Sequence, residues 1–133
     1  MKIEDLEGVG PVYGAKLREA GVQTTDDLLS RAGPAAGRRA LAASTGISPD
    51  VLLRWTNHVD LYRISGIGSE YADLLEASGV DSCAELAQRN PANLATTMAE
   101  ANAARGLVRR LPAESVVAGW IEQAKGMPKA VTH

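Results

Sequence analysis

Two short turns bracketed by glycine are the places in this 133-residue sequence where residue types and spacing suggest chemistry. The first is Gly8-Val9-Gly10, and the second, 58 residues later, is Gly66-Ile67-Gly68-Ser69. A turn that leads directly into a helix leaves backbone N–H groups of the first helical turn without acceptors inside the helix. Such donors lie at the positive end of the helix dipole and can hold a phosphate oxygen. The two turns therefore predict two phosphate-binding positions.

The segments around the two turns are related in sequence. When residues 6–31 are aligned with residues 64–89, eight of the 26 positions are identical. The identities fall at turns and at apolar positions of predicted helices, with a second glycine turn at Gly21 in one copy and Gly79 in the other. Repeats of this kind indicate a shared supersecondary unit. The chain is therefore predicted to contain the same fold twice.

Helical patterns follow both turns and predict an all-α protein. Apolar residues recur at helical spacing after Pro11, a capping box is predicted at Thr24 with Asp27, and Ser82 with Glu85 repeats it. Further helices are predicted over residues 35–44 and from Pro49, giving about five short helices in each copy. Trp55 and Trp120 are 65 residues apart whereas the turns are 58 apart, so the second copy carries seven extra residues around residues 101–106.

The predicted division of the chain follows from this repeat. Residues 1–60 form the first repeat, residues 61–127 form the second, and residues 128–133 are a frayed tail. No Gly/Ser-rich or low-complexity segment separates the repeats, so they are expected to pack as one compact body.

Composition limits the partners that this protein can have. Fourteen Lys and Arg against sixteen Asp and Glu give a net charge of -2, which offers no strong electrostatic attraction to nucleic acid. The single cysteine, Cys83, excludes an internal disulfide framework, and no neighbouring His or Cys predicts a metal site. The apolar runs are too short for a membrane span, so a cytoplasmic protein with no cofactor is expected.

The two turns with their flanking residues resemble the helix-hairpin-helix motif. The positions that carry the resemblance are Leu6, Gly8, Val9, Gly10, Gly14 and Leu17 in the first copy, and Ile64, Gly66, Ile67, Gly68, Ala72 and Leu75 in the second. The whole chain is similar to an uncharacterised bacterial family of tandem helix-hairpin-helix proteins, a domain of unknown function. The resemblance implies two pseudo-symmetric repeats that grip the two strands of duplex DNA without reading sequence. It also allows a monovalent cation held by hairpin carbonyls.

The resemblance implies the residues that would bind nucleic acid. They are Gly8, Val9, Gly10, Gly66, Ile67, Gly68 and Ser69 at the turns, with Lys16 and Arg18 on the helix after the first turn. Motifs that bind DNA often carry Lys or Arg two positions after the second glycine, where this chain has Val12 and Glu70. Few cations at the turns mean little counterion release, so weak and salt-sensitive binding is predicted.

Catalysis finds little support in the remaining residues. His58 is predicted to face solvent on a helix, His133 lies in the tail, and neither has a nucleophile nearby in the sequence. Trp55 and Trp120 are interpreted as core residues. The protein is therefore expected not to be an enzyme. The alternative to DNA binding is a protein-interaction or scaffolding module whose hairpins only shape the fold.

Overall fold

Eight α-helices and one 3-10 helix make up the secondary structure of residues 1–133 in the computed structural model. The structure contains no β-strand, which confirms the predicted all-α class. The 3-10 helix is Ile3–Asp5, and the α-helices are α1 (Gly10–Glu19), α2 (Thr25–Ala32), α3 (Ala35–Thr45), α4 (Pro49–Leu61), α5 (Ser69–Ala77), α6 (Cys83–Leu86), α7 (Pro91–Arg105) and α8 (Glu114–Lys125).

The chain forms two compact units. The first unit contains residues 1–60 together with 130–133, and the second contains residues 61–129. The first unit has five helices when the 3-10 helix is counted. The second unit has only four, because residues 62–68 form turns in place of a short opening helix.

Each unit has its own buried apolar residues. In the second unit, Leu74, Leu75, Leu86 and Leu94 are buried together with Trp120 in one core cluster. In the first unit, the fully buried apolar side chains are Ile3, Leu17, Val22, Leu28, Ala32, Leu41 and Leu52. Burial of large aliphatic side chains is the main stabilising contribution in small domains.

Polar side chains define where several helices begin. At the start of α2 both halves of the predicted capping box are present: the Thr24 hydroxyl accepts from the Asp27 N–H and the Asp27 carboxylate accepts from the Thr24 N–H, both at 3.1 Å. At the start of α6 only half of the box forms. Ser82 accepts from the Glu85 N–H at 3.3 Å, whereas the Glu85 carboxylate accepts from Arg89 at 3.1 Å. A charged donor one helical turn away binds that carboxylate, which would otherwise reach back to the cap.

The same arginine also closes the second glycine turn of its unit. The Nη2 of Arg89 donates to the carbonyl of Gly79 at 2.9 Å, and in the first unit Arg31 donates to the carbonyl of Ala20. Gly21 and Gly79 have φ of 91° and 87°, values that favour glycine. These contacts explain why the aligned segments share an arginine at this position.

The extra residues of the second unit lie partly in a helix. Helix α7 has 15 residues where α3 has 11, and residues 106–113 separate α7 from α8. Asn102 holds this connection, because its side chain accepts from the Val108 N–H at 2.9 Å and donates to the Val108 carbonyl at 3.1 Å. The insertion is therefore an ordered part of the second unit.

The prediction of a frayed tail over residues 128–133 is wrong. Val131 is only 3% exposed, and the Thr132 N–H donates to the carbonyl of Gly33 at 2.9 Å. A buried apolar side chain and paired backbone groups offset the entropy of ordering these residues.

We expect Gly66→Ala to lower the free energy of unfolding by about 1–3 kcal/mol. Gly66 has φ of 95°, and an added Cβ would lie 3.2 Å from Nε1 of Trp120. The control is Gly119→Ala within α8, which has nothing within 4 Å of the new Cβ and should raise stability by roughly 0.5–1 kcal/mol. Chemical denaturation measures both changes, and equal shifts in the same direction would contradict the explanation.

Candidate nucleic-acid interface

The first turn joins the 3-10 helix to α1. Its backbone reverses through Gly8 and Gly10, which have φ of 92° and 65°. The N–H of Val9 donates to the carbonyl of Leu6 at 3.1 Å, and both of these side chains are buried. The apolar residues thus fix the turn to the core of the first unit, while the backbone of Gly8 remains at the surface.

The second turn has the same hydrogen bond but differs at its second glycine. The N–H of Ile67 donates to the carbonyl of Ile64 at 3.2 Å, and both side chains are buried. Gly66 has φ of 95°, as Gly8 has 92°. Gly68, in contrast, has extended backbone with φ of -105°, whereas Gly10 is left-handed. In the second turn, a left-handed backbone conformation therefore requires glycine at Gly66 but not at Gly68.

A tryptophan lies under the first glycine of each turn. The Nε1 of Trp55 lies 3.1 Å from the position that a Cβ of Gly8 would occupy, and Nε1 of Trp120 lies 3.2 Å from that of Gly66. Each indole also contacts a tyrosine, Tyr13 or Tyr71, with ring centroids 5.2 Å and 5.3 Å apart. Both tryptophans are buried, as predicted, so they support the turns from inside and leave no face for stacking on bases.

The helices that follow the two turns begin without a side-chain cap. Helix α1 begins at Gly10, one residue before the predicted start, and α5 begins at Ser69. Neither Val9 nor Gly68 supplies a capping side chain. By contrast, α2, α6 and α7 are capped by Thr24, Ser82 and Asn90. No capping side chain therefore competes with an external acceptor for the first-turn N–H groups of α1 and α5.

The two predicted cations of the first unit, Lys16 and Arg18, lie on α1 beyond the turn. Arg18 forms a two-point ion pair with Glu4, with Nη2 to Oε1 at 2.7 Å. Gly14 makes room for this pair, because an added Cβ would lie 2.7 Å from Cγ of Glu4. Lys16 lines a shallow cleft with Glu19, Ala20, Ser44 and Thr45. It lies six residues beyond Gly10, which corresponds to about 9 Å along the helix.

The connection between α7 and α8 contacts α5, the helix that follows the second turn. The hydroxyl of Tyr71, the third residue of α5, donates to the carbonyl of Arg110 at 3.1 Å. This contact brings the connection between α7 and α8 against the start of α5, and Arg109 and Arg110 are both exposed. The sequence contains the arginine pair and the insertion, but nothing in the pattern assigned them to this turn.

Acidic residues also flank both turns. Glu7 precedes Gly8, Glu70 follows Ser69, and both glutamates are exposed. Val12 on α1 is 70% exposed and Tyr13 is 39% exposed, so an apolar surface lies next to the first turn. The surroundings of the two turns therefore differ: exposed apolar side chains follow the first turn, whereas the helix after the second turn contacts the connection that carries Arg109 and Arg110.

The candidate residues for other chemistry do not assemble into a site. His58 is buried, so the prediction that it faces solvent is wrong. Cys83 is a buried free thiol, and no group of three or more His, Cys, Asp and Glu could hold a metal ion. No helix combines the length and hydropathy needed to cross a bilayer.

The fold and the candidate site define an all-α protein with two glycine turns, each supported by a buried tryptophan. The chain belongs to the family described as a domain of unknown function (DUF4332), whose sequence profile matches residues 7–127. The matched range includes both turns and the whole second unit apart from Pro128 and Lys129. Among curated proteins and solved structures, none matches the chain.

The ion pair between Glu4 and Arg18 should make stability depend on pH in the acid range. The hydrogen bond from Arg18 lowers the pKa of Glu4 from 4.5 to about 2. The stabilisation is therefore complete above pH 4.5 and is lost as the pH falls through 2. Glu4→Gln cannot ionise, so its free energy of unfolding should fall less steeply over this window than that of the wild type. Asp5→Asn, in the same 3-10 helix, is the control, and parallel curves for Glu4→Gln and wild type would refute this role.

Proposed function

We propose that this protein is a non-enzymatic module that binds duplex DNA weakly, through the phosphate backbone and without reading sequence. The two turns act as paired helix-hairpin-helix motifs, and the second turn makes the stronger contact. The observation that carries this proposal is the 3.1 Å hydrogen bond from Tyr71 of α5 to the backbone carbonyl of Arg110, in a connection whose Arg109 and Arg110 side chains are exposed.

The chemistry of the second turn suits a phosphate group. The uncapped start of α5 presents backbone donors at the positive end of a nine-residue helix. Ser69 adds an exposed hydroxyl, and the two arginines supply positive charge that the turn itself lacks. Arginine binds phosphate oxygens through two parallel N–H groups, which compensates in part for the repulsion from Glu70.

The first turn supports a weaker contact. Its donors at Gly10 and Val12 resemble those of the second turn, although Pro11 has no N–H to offer. Arg18 is already paired with Glu4, so its use on DNA would require that pair to separate. Lys16 remains the exposed cation of α1 nearest to this turn. The function requires a compartment that contains DNA, and we propose the cytoplasm of a bacterium.

A protein-interaction module is the second candidate. The exposed Val12 and the partly exposed Tyr13 adjoin the first turn, and apolar side chains of this kind favour a protein surface over a phosphate. The net charge of -2 agrees with this alternative. In that case the glycine turns serve the fold alone.

The arginine pair gives the first direct test of DNA binding. Fluorescence anisotropy of a labelled duplex, titrated over a series of salt concentrations, should show binding by the wild type at low salt. The double variant Arg109→Gln/Arg110→Gln should reduce the slope of log K against log salt by about 2, because two phosphate contacts are lost. The control Arg39→Gln/Lys129→Gln removes two exposed charges elsewhere and should change the slope much less. Absence of binding by the wild type would reject the proposal and favour the interaction module.

Charge reversal at Glu70 tests the second turn by adding positive charge, whereas the arginine variants remove it. Glu70→Lys removes the repulsion beside the proposed phosphate and adds a cation where DNA-binding motifs often carry one. We expect affinity for duplex DNA to rise by roughly tenfold or more at low salt, since close charge contacts contribute on the order of 1–2 kcal/mol. Glu100→Lys on α7 makes the same change in net charge at another exposed position. An equal gain from both variants would mean that only total charge matters and that the turn is not the site.

A further inference from the structure

The first unit has a groove beside the α2–α3 junction that is occupied by a short extended segment of the same chain. The segment is residues 130–133, which we call the clasp. No helix or strand includes these residues. The clasp therefore lies in the groove through its own side chains and backbone hydrogen bonds.

Thr132 makes most of the polar contacts of the clasp. Its N–H donates to the carbonyl of Gly33 at 2.9 Å, and its carbonyl accepts from Nη2 of Arg38 at 2.7 Å. Its hydroxyl accepts from the N–H of Ala35 at 2.9 Å, which is a first-turn donor of α3. The N-cap of α3 is Pro34, which has no side-chain acceptor, so Thr132 performs the capping function from 97 residues away.

Arg38 is a buried residue of the groove, and its side chain binds the clasp. It is 6% exposed, and its Nη1 donates to the carbonyls of Ala32 and Gly33 at 2.9 Å and 3.1 Å. Burial lowers the pKa of this guanidinium, because the charged form loses its contact with water. A buried charge needs hydrogen-bond partners, and the carbonyl of Thr132 supplies one that α2 and α3 cannot. Arg38 therefore depends on the clasp.

The groove also binds the clasp through an apolar side chain and a close backbone approach. Val131 is 3% exposed and is the apolar anchor of the clasp. Gly33 allows the backbone of the clasp to come close, because a Cβ at this position would lie 2.2 Å from the carbonyl oxygen of Ala130. The groove thus buries a branched aliphatic side chain, offers the Ala35 N–H as donor to the hydroxyl next to it, and provides a donor in Arg38 and an acceptor in the Gly33 carbonyl for an extended backbone.

From these contacts we propose that the groove is a docking site for an extended peptide segment containing Val followed by Thr, and that the clasp occupies it reversibly. The ligand is a peptide of the chemistry of residues 130–133, bound by Arg38, Gly33 and the first N–H of α3. The site lies on a different element from the glycine turns, so it is independent of the proposed DNA binding.

The covalent connection explains why this site is filled. Residues 126–129 join α8 to the clasp, and so short a connection gives an effective concentration of about millimolar or more. A free peptide of equal intrinsic affinity cannot compete at ordinary concentrations. Binding in trans therefore becomes measurable only when the clasp is weakened.

Binding of a free peptide to a variant with a weakened clasp is the principal test. Val131→Asp in the full chain places a carboxylate in the apolar pocket, and His133→Asp makes the same change at an exposed position of the clasp. The probe is a labelled peptide with the sequence of residues 126–133. We expect it to bind Val131→Asp at least tenfold more tightly than the wild type or His133→Asp, and a peptide with Val in place of Thr132 should bind at least tenfold more weakly. If Val131→Asp binds the peptide no better than the wild type, the proposal is overturned.

Hydrogen exchange provides a second measurement that does not depend on the fold of Val131→Asp. Thr132→Val in the full chain keeps the shape of the side chain and removes the acceptor for the Ala35 N–H. Exchange of the Ala35 amide should accelerate at least tenfold, while amides in the middle of α3 should keep their wild-type rates. An unchanged rate at Ala35 would show that the clasp does not cap α3, and this result would also overturn the proposal.

Discussion

The close approach of a buried indole to a left-handed glycine is the constraint on which each unit depends. Trp55 lies under Gly8 and Trp120 lies under Gly66, at 3.1 Å and 3.2 Å from the place of the missing Cβ. Glycine is needed at this position for two reasons: the backbone has a positive φ, and the indole occupies the space that a Cβ would fill. The conformation of the turn therefore requires this packing of the core, and the packing of the core requires this turn. A side chain at Gly8 or Gly66 would disturb both the chain reversal and the packing of the helix that carries the tryptophan.

Much of the fold could be predicted because it depends on local patterns. Glycine turns, capping residues and the spacing of Leu17, Trp55 and Trp120 indicated the helices and the core, and these signals need no knowledge of distant contacts. The errors concern contacts over long sequence separations. Residues 128–133 read as polar and short, yet Val131 is buried, and Thr132 has hydrogen-bond partners in Arg38 and Gly33, 94 and 99 residues earlier. His58 read as a solvent-facing polar residue, yet it is buried.

The candidate site was predicted less completely than the fold. The turn residues follow from glycine geometry, but the surrounding charges depend on tertiary contacts. Arg18 is among the residues predicted to bind nucleic acid, and its ion pair with Glu4 could not be inferred from helical spacing because the 3-10 helix carries the partner. The backbone of Arg110 contacts Tyr71 of α5 across 39 residues of sequence, and no helical pattern indicates that contact. The two units thus share their turns and differ in the residues that follow them.

The clasp also affects the order in which the protein can fold during synthesis. Helices α2 and α3 are complete once residue 45 has been made, whereas Thr132 follows 87 residues later. At ribosomal rates of about 5–20 residues per second, this interval lasts roughly 4–17 s. During that time the guanidinium of Arg38 lacks one of its carbonyl partners and the first N–H of α3 has no cap. In the nascent first unit the groove is therefore open at first. The last step of its folding can occur only after residues 130–133 have been synthesised.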